Sequence, residues 1–146
     1  MVLSLEKARV LDAPRSEVFV ACTNPGELAK WWGPRGFTVP NVELDLSVGG
    51  SYRIAMQPPE GEVFHLHGEF REVDPPGRLV YTFAWEPPDP DDRETVVTMT
   101  FGELGEATEL VVFQEGFATE ARRALHEQGW EDSLDRLEEL ISSRSG

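Results

Sequence analysis

From Phe37 to Glu115 apolar residues recur at alternate positions, and clusters of glycine, proline and acidic residues interrupt them roughly every 10 to 15 residues. Side chains two apart on an extended chain leave from the same face, so a pattern of this length calls for an antiparallel meander with one apolar and one polar surface. The spacing predicts strands over 37–46, 51–57, 62–73, 79–86, 94–102 and 107–115. Their punctuation is Val48-Gly49-Gly50, residues 58–61 (PPEG), residues 74–77 (DPPG), the acidic loop 87–93 and residues 103–106. The predicted inner faces carry Tyr52, Ile54 and Met56; Phe64, Leu66 and Phe70; Leu79, Tyr81, Phe83 and Trp85; Val97, Met99 and Phe101; and Leu110, Val112 and Gln114. Arg53, His65, His67, Glu69, Arg71, Thr82, Thr98 and Thr100 fall on the other faces, so one side of the sheet meets water.

The flanking segments have a different texture. Residues 3–12 read as a first strand, broken at Ala13-Pro14, and 14–23 as a short helix with Val18, Phe19 and Cys22 on one side. Asn24 is suited to cap a second short helix with Pro25 at its first position, where a missing N–H does no harm. That helix is expected to end at Trp31 and Trp32, because Gly33 can adopt a left-handed conformation and Pro34 cannot continue a helix. Residues 119–141 read as a long amphipathic helix, with His126, Trp130, Leu134, Leu137 and Ile141 on one stripe. Gly129 weakens that helix by about 1 kcal/mol relative to alanine, which suggests a close approach there.

These elements make one α+β domain over residues 1–146, with seven strands and two short helices between the first strand and the rest. A strongly curved sheet of this size can wrap a single helix, yet a helix about 10 Å across cannot fill the concave face alone. The remainder is closed by the short helices or left as a cavity. A cavity would be walled by Trp31, Trp32, Tyr52, Ile54, Phe64, Leu66, Tyr81, Phe83, Trp85, Met99, Gln114, His126 and Trp130. Tyr52, Tyr81, Gln114 and His126 are its few polar members, the composition of a small-molecule pocket.

Other classes of function find little support. A formal net charge of −14 repels phosphate backbones and anionic lipid. The longest strictly apolar run, residues 18–22, is far short of the ~20 residues that span a bilayer, and MVLSLEK lacks the layout of a signal peptide. The expected setting is cytoplasmic, with Cys22 as a buried thiol. His65 and His67 form an HxH, but their strand alternation points them to solvent, away from His126, so no metal is expected. The pairs Glu43/Asp45 and Glu60/Glu62 read as solvated surface. No GxSxG and no phosphate-cradling glycine loop is present, and no cofactor is expected.

The stretches NPGELAKWWGPRGF, ELDLSVGGSYRI, HGEFREVDPPGRLVYTF and HEQGWEDSLDRL are similar to motifs of the bacterial family related to the activator of heat-shock-protein-90 ATPase (AHSA type). The order of elements also resembles the helix-grip fold of the START/SRPBCC superfamily, which includes the birch-pollen-allergen-like proteins. The resemblance runs from about Glu6 to Leu140. It implies a curved seven-stranded antiparallel sheet wrapped around the C-terminal helix. It does not fix an activity, since the superfamily includes lipid and hormone binders, polyketide cyclases, self-sacrificing resistance proteins and co-chaperone domains. The leading expectation is binding of a small hydrophobic or aromatic molecule. The alternatives are a cofactor-free cyclase or hydrolase using His126 or Tyr81, and a stress-response module with a chaperone as partner. Whether the chain forms a homodimer is left open.

Overall fold

The computed structural model describes residues 3–145. The strands are β1 (Leu3–Leu11), β2 (Thr38–Leu44), β3 (Ser51–Gln57), β4 (Phe64–Asp74), β5 (Arg78–Glu86), β6 (Thr95–Leu104) and β7 (Ala107–Phe117). They form one antiparallel sheet in the order β1-β7-β6-β5-β4-β3-β2. Six strands therefore meander in chain order, and β1 returns to pair with β7 at the far edge. Helices α1 (Arg15–Thr23) and α2 (Pro25–Leu28) lie between β1 and β2, and α3 (Glu120–Ser145) follows β7. This is the helix-grip α+β arrangement.

Alternation set the faces as the sequence implies except at Thr82, which parity assigns to the water-facing side but which is buried, its hydroxyl accepting from the Glu69 N–H across the β4–β5 gap. Ile54, Leu66, Leu79, Val97, Met99, Phe101, Leu110 and Val112 are buried with Leu134, Leu137 and Ile141 of α3. Gln114 is buried as well, and both its polar atoms have a partner. Its Nε2 donates to Thr95 Oγ1 at 2.8 Å, and its Oε1 accepts from Trp130 Nε1 at 2.8 Å. Along β1, Lys7 and Arg9 meet Glu127, Glu131, Asp135 and Glu138 of α3, which orients the helix along that edge of the sheet.

One strand pairing is opened. β4 and β5 pair at His67–Ala84 and again at Phe70–Tyr81. In the gap the Tyr52 hydroxyl donates to the Thr82 carbonyl at 2.5 Å and the Glu69 N–H donates to Thr82 Oγ1 at 2.9 Å. A Cβ on Gly68 would lie 1.9 Å from the Thr82 carbonyl oxygen, so this position has no room for a side chain.

The second short helix differs from expectation. The Asn24 side chain does accept from the Glu27 N–H, but α2 ends at Leu28, and Trp31 and Trp32 follow it in a turn. The N–H groups of Lys30 and Trp31 turn to carbonyls only three residues back, tightening the chain out of α geometry. Gly33 then takes φ +96°, as its lack of a Cβ permits. Helix α3 extends to Ser145 and begins beside Thr119, whose Oγ1 caps the Arg122 N–H at 3.1 Å.

Candidate functional site

The sheet and α3 do not close on each other along their whole length. Between the β3–β5 end of the concave face and the first half of α3 lies an open cavity of about 560 Å³. That size falls within the roughly 300–1,000 Å³ of small-molecule sites. Trp32, Phe37, Met56, Phe64, Phe83, Trp85 and Trp130 supply its apolar wall. The rings form a continuous chain: Phe37 against Phe64, Phe64 against Trp85, Trp85 against Phe83, Phe83 against Trp32, and Trp32 edge-on to Trp130.

Six of the thirteen wall residues expected from sequence come together here: Trp32, Phe64, Phe83, Trp85, His126 and Trp130. Trp31, Tyr52, Ile54, Tyr81 and Met99 instead border a second void of about 20 Å³, space for about one water. Leu66 and Gln114 border neither and are buried in the core. Trp31 is fully buried, and its Nε1–H donates to the Ala21 carbonyl at 2.9 Å, so it ties the turn after α2 to α1. The two adjacent tryptophans thus divide the work, Trp31 packing the core and Trp32 walling the cavity. Burial pushes the Tyr81 hydroxyl pKa up, and that hydroxyl meets Met99 Sδ at 3.6 Å, away from the cavity.

His126 is the polar group set among these rings. It is 9% exposed and lies against Phe83, Trp85 and Phe117. Burial, with the charge of Arg122 as a lesser cause, lowers its pKa to about 4, so the imidazole is neutral at pH 7. The Trp85 Nε1–H donates to His126 Nε2 at 3.1 Å, which assigns the proton of the neutral ring to Nδ1. Nδ1 makes no hydrogen bond among the described residues, and no buried side-chain nitrogen or oxygen there lacks a partner. The free Nδ1–H is therefore accessible on a cavity-lining residue, ready to meet an acceptor oxygen.

The rim residues were not picked out by sequence. Pro34, Pro87, Leu125, Gln128 and Ser133 line the cavity, together with Asp89, Asp92, Arg122 and Asp132. Arg122 fastens the 87–93 loop to α3 through Asp89, Asp91 (3.0 Å) and Asp92 (3.3 Å). On the opposite side the turn after Trp32 is pinned to α3. The Gly33 N–H donates to Ser133 Oγ at 3.0 Å, and Arg136 donates to the carbonyls of Trp32 and Gly33 at 3.0 Å. A signal for these residues existed: Arg122, Leu125, Gly129, Asp132 and Arg136 repeat at helical spacing on the flank of the apolar stripe.

Gly129 corrects another expectation. A Cβ there would meet nothing within 4 Å, so the glycine faces open cavity space instead of a close neighbour. On the outer face His67 and Arg53 both meet Glu86. Among the described residues no three His, Cys, Asp or Glu side chains gather as metal ligands. No helix among them is long and apolar enough to cross a membrane.

A curved antiparallel sheet gripping a C-terminal helix, with a cavity between the two, defines the START/SRPBCC class. Within it the chain belongs to the family described as activator of Hsp90 ATPase homolog 1-like protein, matched over residues 12–142. Solved structures resemble it over nearly their whole length. A Chromobacterium violaceum protein is 29% identical with a TM-score of 0.84, covering 94% of this chain and 96% of that one. A Nitrosomonas europaea protein is 27% identical with a TM-score of 0.82, covering 98% and 96%. An AHSA1 protein from Silicibacter pomeroyi is 26% identical with a TM-score of 0.83, covering 97% and 99%. No curated protein matches the sequence.

Proposed function

We propose that the protein binds a small hydrophobic or aromatic molecule in the cavity between β3–β5 and α3. The observation that carries this reading is an unpaired donor, His126 Nδ1–H, on a ring-walled cavity of about 560 Å³. An aromatic body would stack among Trp32, Phe64, Phe83 and Trp85, while an acceptor oxygen took the imidazole proton's hydrogen bond. Family membership supports the reading, because the fold is a ligand-binding one. The lone thiol of Cys22 fits a cytoplasmic setting, where thiols stay reduced.

A cyclase or hydrolase would need several polar groups converging on one substrate. His126 stands at the cavity, but Tyr81 does not, so the binding reading is favoured. Native mass spectrometry of gently purified protein tests it. A retained molecule lost from Trp85→Ala and Phe64→Ala variants supports the proposal. A wild-type protein that carries no molecule and takes up none from a panel of two-ring aromatics refutes it.

A further inference from the structure

We infer that the cavity prefers a hydrophobic organic cation, an aromatic or quaternary amine, over neutral and anionic molecules of the same shape. This rests on the cavity being a ligand site. Ring faces carry a negative quadrupole and attract ammonium groups, tryptophan most strongly. Trp32, Trp85 and Trp130 all line this cavity.

The charges at the rim point the same way. Asp89, Asp92 and Asp132 line the cavity against one cation, Arg122. Arg122 is already shared among Asp89, Asp91 and Asp92, so an incoming carboxylate would have to displace a protein carboxylate to reach it. Asp132 makes no ion pair among the described residues. Its oxygens accept only from Gln128 Nε2 at 3.2 Å and from the Arg35 backbone N–H at 3.3 Å, both neutral donors. The two nearest guanidinium groups are engaged elsewhere. That of Arg35 meets Glu139, and that of Arg136 meets the carbonyls of Lys30, Trp32, Gly33 and Pro34. Their charges reduce the field of Asp132 without satisfying it. A chain of formal charge −14 adds a long-range bias that draws cations to the mouth and repels anions.

The donor at His126 fits the same ligand. His126 and Asp132 are separated by six positions on α3, about 9 Å along the axis at 1.5 Å per residue. A two-ring molecule spans that distance, with an acceptor oxygen toward His126 and an ammonium toward Asp132.

Three probes on one skeleton separate the charge effect from shape: naphthylmethylamine, naphthylmethanol and naphthoate, titrated calorimetrically at pH 7. The amine should bind about tenfold more tightly than the alcohol, from one cation–π contact and one partly screened carboxylate. Naphthoate should bind more weakly than both. Raising sodium chloride from about 0.05 to about 0.5 M should narrow the amine-to-alcohol ratio by screening, and Asp132→Asn should narrow it at low salt. Equal affinities for amine and alcohol, tightest binding of naphthoate, or a ratio that neither salt nor Asp132→Asn changes would overturn the inference while leaving the cavity a ligand site. Failure of all three probes to bind would overturn both.

Discussion

Replacing Gly129 with alanine should stabilise the protein, although glycine-to-alanine changes inside packed structures commonly do the reverse. Gly129 lies well within α3, where glycine is about 0.8–1.0 kcal/mol less favourable than alanine. The opposing effect would be overpacking, typically about 1–3 kcal/mol when an added methyl strikes a filled core. Here a Cβ meets no heavy atom within 4 Å, so that cost is absent and the helix preference stands alone. The expected gain is about 1 kcal/mol, which for a chain of this size raises Tm by roughly 3 °C. In urea, with m near about 2 kcal/mol/M, the midpoint should rise by about 0.5 M at unchanged slope. A midpoint that stays put or falls would mean that α3 packs on the sheet at this point. The open cavity, and the function built on it, would then be wrong.

His126 supplies a pH-dependent counterpart. Its folded pKa of about 4 lies below the ordinary 6.5, so below pH 6.5 the unfolded chain takes up a proton that the folded protein refuses. Stability is therefore lost progressively as pH falls from 6.5 toward 4, by about 3 kcal/mol in all. The carboxylates of Glu86 and Glu127, held low mainly by Arg53 and Lys7, lose their contributions in the same acid range, so the comparison must be differential. Denaturation from pH 7 to 4.5 should show a smaller acid loss in His126→Phe than in wild type, and parallel curves would contradict the assigned burial. At Gly68 a methyl would lie 1.9 Å from the Thr82 carbonyl oxygen. Gly68→Ala should cost about 2 kcal/mol or more, read as a lower urea midpoint. A neutral substitution would mean that the β4–β5 gap is not as tight as described.

The strands were legible because alternation is a local property, and residues such as Ile54, Leu66 and Met99 fall where their parity puts them. Parity names a face but not a place along it. Tyr52, Tyr81 and Met99 share the concave face with Phe64 and Trp85, yet the first three lie toward the α1–α2 end, where Cys22, Leu28 and Trp31 fill the space. At the other end the first half of α3 stands off the sheet, and Gly129 leaves open space among the side chains that line the cavity. Rim residues such as Arg122 and Asp132 lie off the apolar stripe, and nothing local reveals that the 87–93 loop folds back onto α3. Gly129 was misread for a related reason. A helical glycine signals that a side chain is unwanted, and only the tertiary structure shows that the reason is space.

The four tryptophan indole N–H groups offer the most direct test of the central claim, because their surroundings differ. Trp85 donates to His126 beside the cavity, Trp130 donates to Gln114 behind its wall, and Trp31 donates to Ala21 in the core. In a proton–nitrogen correlation spectrum titrated with a two-ring aromatic amine, the Trp85 and Trp32 indole signals should move in a saturable way, with Trp130 following weakly. Trp31 should stay fixed. Saturable shifts led by Trp31, or no shift in any indole as the amine is raised to millimolar concentration, would contradict the account.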